Sequence, residues 1–300
     1  MAHNPITVEL IRTLDAIDRH GSFAAAAEHL HKVPSALTYT LQKAEKDLEL
    51  DLFDRRGHRA EWTEAARHVL QEGRRILVAM ENLGHSAQRL AEGWTTRYVV
   101  ALDHLLAFEQ IIPLLTRARE DIPWVPVHVR QGTLSGTWEL LLEHEADLVV
   151  APLHSRPDAG HIITQPIGTV RMVLAVARDH PLAAVDRPLS EDDLEPYPVV
   201  TNQDTARQIA PLSAGLRQGR QVLLVPDMGT KITAQKQGLG VGFLPMHRIQ
   251  AEVLSGDLII KTLAGDEQER DMTVVAGWRE GDSDKSHQWM LEHLDLLTLN

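Results

Sequence analysis

The chain has 300 residues, 43% apolar and 24% charged, a composition that suits a globular protein of about two domains. No apolar run approaches the ~18 residues that span a bilayer, and the N-terminal stretch to Glu9 lacks the basic segment and apolar core of a signal peptide. The absence of cysteine excludes disulfides, thiolate metal sites and a cysteine nucleophile, and a reducing cytoplasm is the expected setting. The net charge of −12 argues at first sight against a nucleic-acid partner, but it is unevenly placed. Residues 1–93 hold 12 Lys+Arg against 14 Asp+Glu, and residues 94–300 hold 18 against 28. Charges screen one another beyond ~8 Å at physiological salt, so a DNA-binding face needs only local positive charge.

The first sixty residues read as short helices. Leu10, Ile11, Leu14 and Ile17 give Val8–His20 a helical spacing, and Gly21 ends it. Ser22 is a good N-cap for a second helix, Phe23 to Leu30. Pro34 stands where a first-turn proline is tolerated, and a third helix runs to Leu48 with Leu37, Leu41, Ala44 and Leu48 on one face. Leu52 and Phe53 close a small core, and residues 55–59 form a basic turn between two short extended segments.

A long helix follows, from about Thr63 to Glu92. Val69, Gly73, Ile76, Met80, Leu83, Ala87 and Leu90 step alternately by four and three, which is a coiled-coil seam with Gly73 as its poor member. Such a helix either packs on its own domain or pairs with a second copy. From Arg97 onward, short apolar runs alternate with amphipathic helices, which predicts an α/β domain with a mainly parallel sheet. Strands are expected at Tyr98–Leu102, Val125–Arg130, Leu148–Ala151, Val170–Val176, Pro198–Thr201, Val222–Val225, Val241–Leu244, Leu258–Lys261 and Met272–Ala276. Helices are expected at His104–Arg119, Ser135–His144, Asp227–Gln237 and Asp284–Leu297.

The third helix carries Ser35, Thr38, Tyr39 and Gln42 opposite its apolar face, groups whose lengths suit base edges in a major groove. Lys32, Lys43, Arg55 and Arg59 have the charge to lie along phosphates. On residues alone, a solvated polar face fits as well as a DNA-reading one.

The stretches Gly21-Ser22-Phe23, Ala26–His31 and Pro34–Leu41 resemble the helix-turn-helix of LysR-type transcriptional regulators. Leu52-Phe53-Asp54-Arg55, Arg59 and Thr63-Glu64-Ala65 resemble the wing that follows it. Arg178–Ala183 and the glycine-rich Gly238–Pro245 resemble segments of the family's sensor domain. The chain departs from the pattern at Ala44, Trp62 and Ala66. The resemblance implies an α+β protein with a winged helix-turn-helix over 1–62 and a linker or dimerisation helix over 63–93. It also implies an effector-binding domain over 94–300, of two α/β subdomains like a periplasmic solute-binding protein. Subdomain I would take about 94–164 and 267–300, and subdomain II about 165–266, with crossings near His161–Gln165 and Leu263–Glu269. The implied partners are double-stranded DNA with dyad symmetry, a second copy of the chain in a dimer or tetramer, a small-molecule effector and RNA polymerase. The dimer seam would use Ile76, Met80, Leu83, Ala87 and Leu90. Neither a cofactor nor a metal is expected.

Ligands of such sheets meet the carboxyl ends of strands. Those ends are Asp103, His104 and Leu105, then Thr133 and Leu134, then Thr201 and Asn202, with Phe243 as a wall. With no cation at the loop tips, a neutral or weakly acidic, compact and aromatic ligand is expected, with Arg130 and Arg207 nearby as the alternative anion partners. An ordinary loop role remains open for each position, and Asp103 also suits an N-cap. An α/β enzyme or a solute-binding protein with an incidental helical head is the rival. The 16 histidines make no His-Glu-x-x-His, and there is no Gly-x-Ser-x-Gly or Walker loop. Gly238, Gly240 and Gly242 follow a helix rather than a strand, so they read as a turn and not a dinucleotide loop.

Overall fold

The computed structural model describes residues 4–54, 56, 61–158, 161–212, 221–264, 270–297 and 299. The chain divides into two units, Met1–Glu92 and Gly93–Asn300.

In the first unit, α1 (Val8–His20) is capped by the Thr7 hydroxyl, which accepts from Leu10 N at 3.1 Å, and ends at Gly21 with φ 72°. Ser22 caps α2 (Phe23–His29) in the same way, and Pro34 opens α3 (Pro34–Leu48). Leu10, Leu14, Ile17, Leu37, Leu41 and Leu52 make one core, in which Ala44 and Ala66 are also buried. The strands β1 (Phe53–Asp54) and β2 (Glu61–Trp62) pair antiparallel. The Glu45 carboxylate accepts from Leu52 N at 2.9 Å and Phe53 N at 3.2 Å, which hooks β1 onto α3. Trp62 lies 4.8 Å from the Phe53 ring, and its larger side chain thereby fills the root of the hairpin. The long helix α4 (Glu64–Ala91) starts from a Thr63 cap.

The second unit runs β3 (Tyr98–Asp103), α5 (Ile112–Asp121), β4 (Val127–Gly132), α6 (Ser135–Leu142), β5 (Leu148–Pro152) and β6 (Ile162–Ala177). Next come α7 (Glu191–Leu194), β7 (Val199–Asn202), β8 (Val222–Val225), α8 (Met228–Lys236) and β9 (Gly242–Pro245). It closes with α9 (Gln250–Leu254), β10 (Leu258–Lys261), β11 (Arg270–Arg279) and α10 (Lys285–Glu292). The main sheet has the order β10-β6-β11-β5-β3-β4, with β9 also on β6.

The sheet corrects the expectation of mainly parallel pairing. Parallel pairs join β3 to β4, β3 to β5 and β7 to β8. All pairs made by β6 and β11 are antiparallel, because these two long strands carry the chain out to the second lobe and back. The outward crossing begins at Ile162, near its expected place. The return strand starts at Arg270, later than the expected Leu263–Glu269, of which 265–269 lie outside the described residues. Leu263 itself is still in the second lobe, bridged to Leu189.

The helix expected at His104–Arg119 begins only at Ile112. Asp103 takes the Leu105 N–H at 2.8 Å, which makes a turn there, and Pro113 falls in the helix's first turn, where proline belongs. The last helix stops at Glu292 and continues as a 3-10 turn, Leu294–Leu296. The short α7 and α9 are too brief for periodicity to reveal.

Candidate functional site

On α3, Ser35, Tyr39, Gln42 and Lys43 are exposed, opposite the buried Leu37, Leu41 and Ala44. Thr38 is half-buried and donates to its own backbone, at Pro34 O, 3.1 Å. Lys32 is paired with Glu9 of α1, so its charge is partly committed in the free protein. Arg55 and Arg59 lie outside the described residues.

The heptad positions on α4 divide into two sets. Val69 packs on the head core, and Gly73 is buried against α1, where an added Cβ would sit 2.6 Å from Ile11 Cγ2. The glycine thus permits a close helix crossing and does not belong to an outer seam. From Ile76 the face is open: Met80, Leu83, Ala87 and Leu90 are all exposed, Leu83 by 68%. Val78 is a further exposed apolar residue of α4, 55% exposed.

In the second unit, the seven residues expected at the strand ends and Phe243, expected as a wall, all line one cavity of about 390 Å³. The cause is topological. The carboxyl ends of β3 and β4 face it from one lobe, the end of β7 faces it from the other, and Phe243 of β9 forms part of its wall. Most of the remaining lining is apolar, including Met172, Leu174, Met228 and Met272.

Asp103 does not offer a free carboxylate to this space. It is buried, and its oxygens accept from Leu105 N (2.8 Å), Leu134 N (2.8 Å) and Thr137 Oγ1 (2.9 Å). It therefore clamps the end of β3 to the turn before α6. That turn needs a clamp, since Leu134 has φ 54° and ψ −127°, a backbone state that side chains disfavour. Burial pushes the Asp103 carboxyl up to about 6, against the opposing pull of those donors.

A second carboxylate pair ties α6 to the segment after β7. Asp204 accepts from the backbone of Ser135 (3.2 Å) and Gly136 (2.9 Å), and from the Ser135 hydroxyl. It also accepts from Ala206 N and Leu212 N within its own loop. In the reverse direction, Glu139 of α6 accepts from three successive backbone groups, Arg207 (2.8 Å), Gln208 (2.9 Å) and Ile209 (3.1 Å). Gly136 makes this approach possible, because a Cβ there would lie 2.1 Å from Thr205 Oγ1. Both carboxyls are held below their usual values against the larger single effect of burial, Glu139 by its backbone donors and Asp204 by the Ser135 hydroxyl together with backbone donors. Arg207 faces this latch with its backbone, and Arg130 on β4 is exposed and paired with Glu145. Neither arginine lines the cavity.

The family model "Bacterial regulatory helix-turn-helix protein, lysR family" matches residues 8–67, and "LysR substrate binding domain" matches 91–297. This chain belongs to the LysR family of transcriptional regulators. The LysR regulator is 33% identical over 287 residues to the uncharacterized HTH-type transcriptional regulator YeeY of Escherichia coli K12, covering 96% of this chain and 92% of that one. It is 33% identical over 293 residues to the probable regulator YhaJ of the same strain (97% of each chain), and 30% identical over 291 residues to PunR (97% and 93%). Among solved structures, the Corynebacterium glutamicum OxyR C206 mutant shares the fold at 20% identity, TM-score 0.61, over 98% of this chain and 93% of that one. The probable transcriptional regulator PA0477 of Pseudomonas aeruginosa shares it at 21% identity, TM-score 0.53, over 98% of each. These relatives are regulators and not enzymes.

Sequence reasoning missed Lys231 and His154 among the groups that line this LysR regulator's cavity, and it named Thr133 and Asn202. Lys231 of α8 is buried and donates to Phe243 O at 2.9 Å. His104, which was expected, and His154, which was not, both have pKa values lowered by burial. Thr133 Oγ1 and both polar atoms of the Asn202 amide are buried without partners. An unsatisfied buried polar group costs about 1–3 kcal/mol, so these three atoms around one cavity call for a hydrogen-bonding partner, water or ligand, within it.

Proposed function

We propose that the chain binds DNA sequence-specifically through α3 and that a small effector in the interlobe cavity sets its regulatory output. Ser35, Thr38, Tyr39 and Gln42 read bases, and Lys32, Lys43, Arg55 and Arg59 lie along phosphates. The open α4 face at Ile76, Met80, Leu83, Ala87 and Leu90 pairs two copies, or two such pairs in a tetramer, on an operator with dyad symmetry. The regulator acts in the cytoplasm with RNA polymerase as its downstream partner. The effector is compact, with an apolar and preferably aromatic body, and is neutral or weakly acidic. Separate domains follow the divisions 1–62, 63–93 and 94–300.

The observation that carries the effector reading is the cavity: apolar walls at strand ends, with orphaned Thr133 and Asn202 groups among them. The test selects binding sites from genomic DNA and then compares operator with random duplexes across salt. Gln42→Ala should cost about 1–3 kcal/mol on the operator and little on random DNA. Lys43→Ala should weaken both and lower the salt slope. An unchanged operator preference in Gln42→Ala and Tyr39→Ala would overturn the assignment of α3 as the reader.

A further inference from the structure

Among the described residues that line the cavity, Lys231 is the one lysine or arginine, a cationic pole that the mostly apolar lining does not require. Resting on the reading that this cavity holds the effector, we propose that the effector carries a single carboxylate. It is seated on the Lys231 ammonium beside the Asn202 amide and the Thr133 hydroxyl, with an apolar body along Met172, Leu174 and Phe243.

Several observations support this. Lys231 is only 8% exposed, and among the described residues its one hydrogen bond goes to Phe243 O, which leaves two of three ammonium hydrogens without an acceptor there. Among the described residues no carboxylate is ion-paired with it, and burial is the one effect on its pKa, although it lines a cavity large enough for a small molecule. A buried charge without a partner is costly, and a ligand carboxylate relieves that cost with a charge-assisted bond. Burial draws the lysine down to about 8, so it is still mostly protonated at neutral pH.

The orphaned groups of Asn202 and Thr133 line the same space and include two donors suited to carboxylate oxygens. The other anion seat in this region, the backbone N–H groups at the start of α6, is already filled by Asp204. Finally, Asp103 and Glu191 also line the cavity, so a second anionic group on the ligand would meet like charge. One carboxylate matches one cation.

The experiment is calorimetric titration of the full chain with 3-phenylpropanoate and 4-methylpentanoate, each paired with its primary amide. The wild type should bind at least one acid about tenfold more tightly than its amide. Lys231→Met, nearly isosteric and free of the buried charge, should lose that preference. Asn202→Leu should reduce the preference by severalfold as a second variant, and thermal midpoints check that both fold. Equal binding of acid and amide to the wild type, or an unchanged acid affinity in Lys231→Met, overturns the carboxylate seat. If amides still bind and still alter operator binding in that case, the cavity stands as the effector site and only its anionic pole falls. If no probe binds at millimolar concentration, both fall, and operator binding measured on the same samples reports separately on the DNA reading.

Discussion

Glu139→Gln tests the latch between α6 and the loop after β7. The carboxylate receives three backbone N–H bonds of 2.8–3.1 Å, and the amide keeps one oxygen while turning an NH₂ toward the Arg207 N–H. Hydrogen bonds to a charged acceptor contribute about 1.5–3 kcal/mol and neutral ones about 1. Arg207 and Gln208 are exposed, so water replaces part of what is lost, and a total of about 1–2 kcal/mol remains. For a unit of this size that lowers the melting midpoint by about 2–8 °C. Local opening is read more directly by trypsin, which cuts after Arg207. When opening is fast relative to cleavage, 1–2 kcal/mol becomes a roughly 5- to 30-fold faster cut at that bond. Because the folded Glu139 pKa is lowered, its contribution is present above the unfolded value and is lost as pH falls through the folded one. The gap between wild type and variant should therefore close in acid. Equal cleavage rates at neutral pH, or a gap that widens as pH falls, would refute the latch.

Gly73→Ala should destabilise the head by about 1–3 kcal/mol, measured by its melting transition, because the new methyl meets Ile11 at 2.6 Å. Lys at both Met80 and Leu83 should leave the head folded, since both side chains are exposed, yet shift the full chain toward monomer by light scattering. An unchanged mass would remove α4 from the dimer contact. Folding raises the Asp103 pKa from 3.8 to about 6, so its contribution is fully present below the lower value and lost as pH rises through the upper. Wild type should gain stability relative to Asp103→Asn by about 1.4 kcal/mol per pH unit as pH falls from 6 towards 4, in denaturant titrations.

The head was legible because caps, a first-turn proline and heptad spacing are local signals, and Gly21, Ser22 and Pro34 act within their own helices. The cavity lining was legible for a different reason: strand ends in an open α/β sheet converge whatever their side chains. Strand direction was not, since a short apolar run such as Val170–Val176 reads the same whether its neighbours run with it or against it. Gly73 looked like a flaw in a seam because heptad counting cannot tell which partner a helix face meets. Lys231 was missed because a lone lysine on a helix usually faces solvent. Its spacing did hold a signal: it shares the buried face of α8 with Met228, Ile232 and Gln235, at i−3, i+1 and i+4.

The crossing strands carry one more consequence. Between the pairings of β11 with β5, which begin at Val274, and those of β6 with β9, which begin at Met172, lies a short neck. There Thr169, Val170 and Arg171 pair with Thr273, Met272 and Asp271, and among the described residues no third strand joins the ladder. A slip of one residue would turn every side chain of the ladder to the wrong face, so the lobes are locked against sliding. A two-stranded ribbon, by contrast, twists more readily than a broad sheet. The irregular register between Val274 and Val275 adjoins that ribbon, and Met172 and Met272 beside it line the cavity. The freedom that this ribbon leaves between the lobes is thus torsional, an angle and not a change of length, and the cavity lies against its pivot.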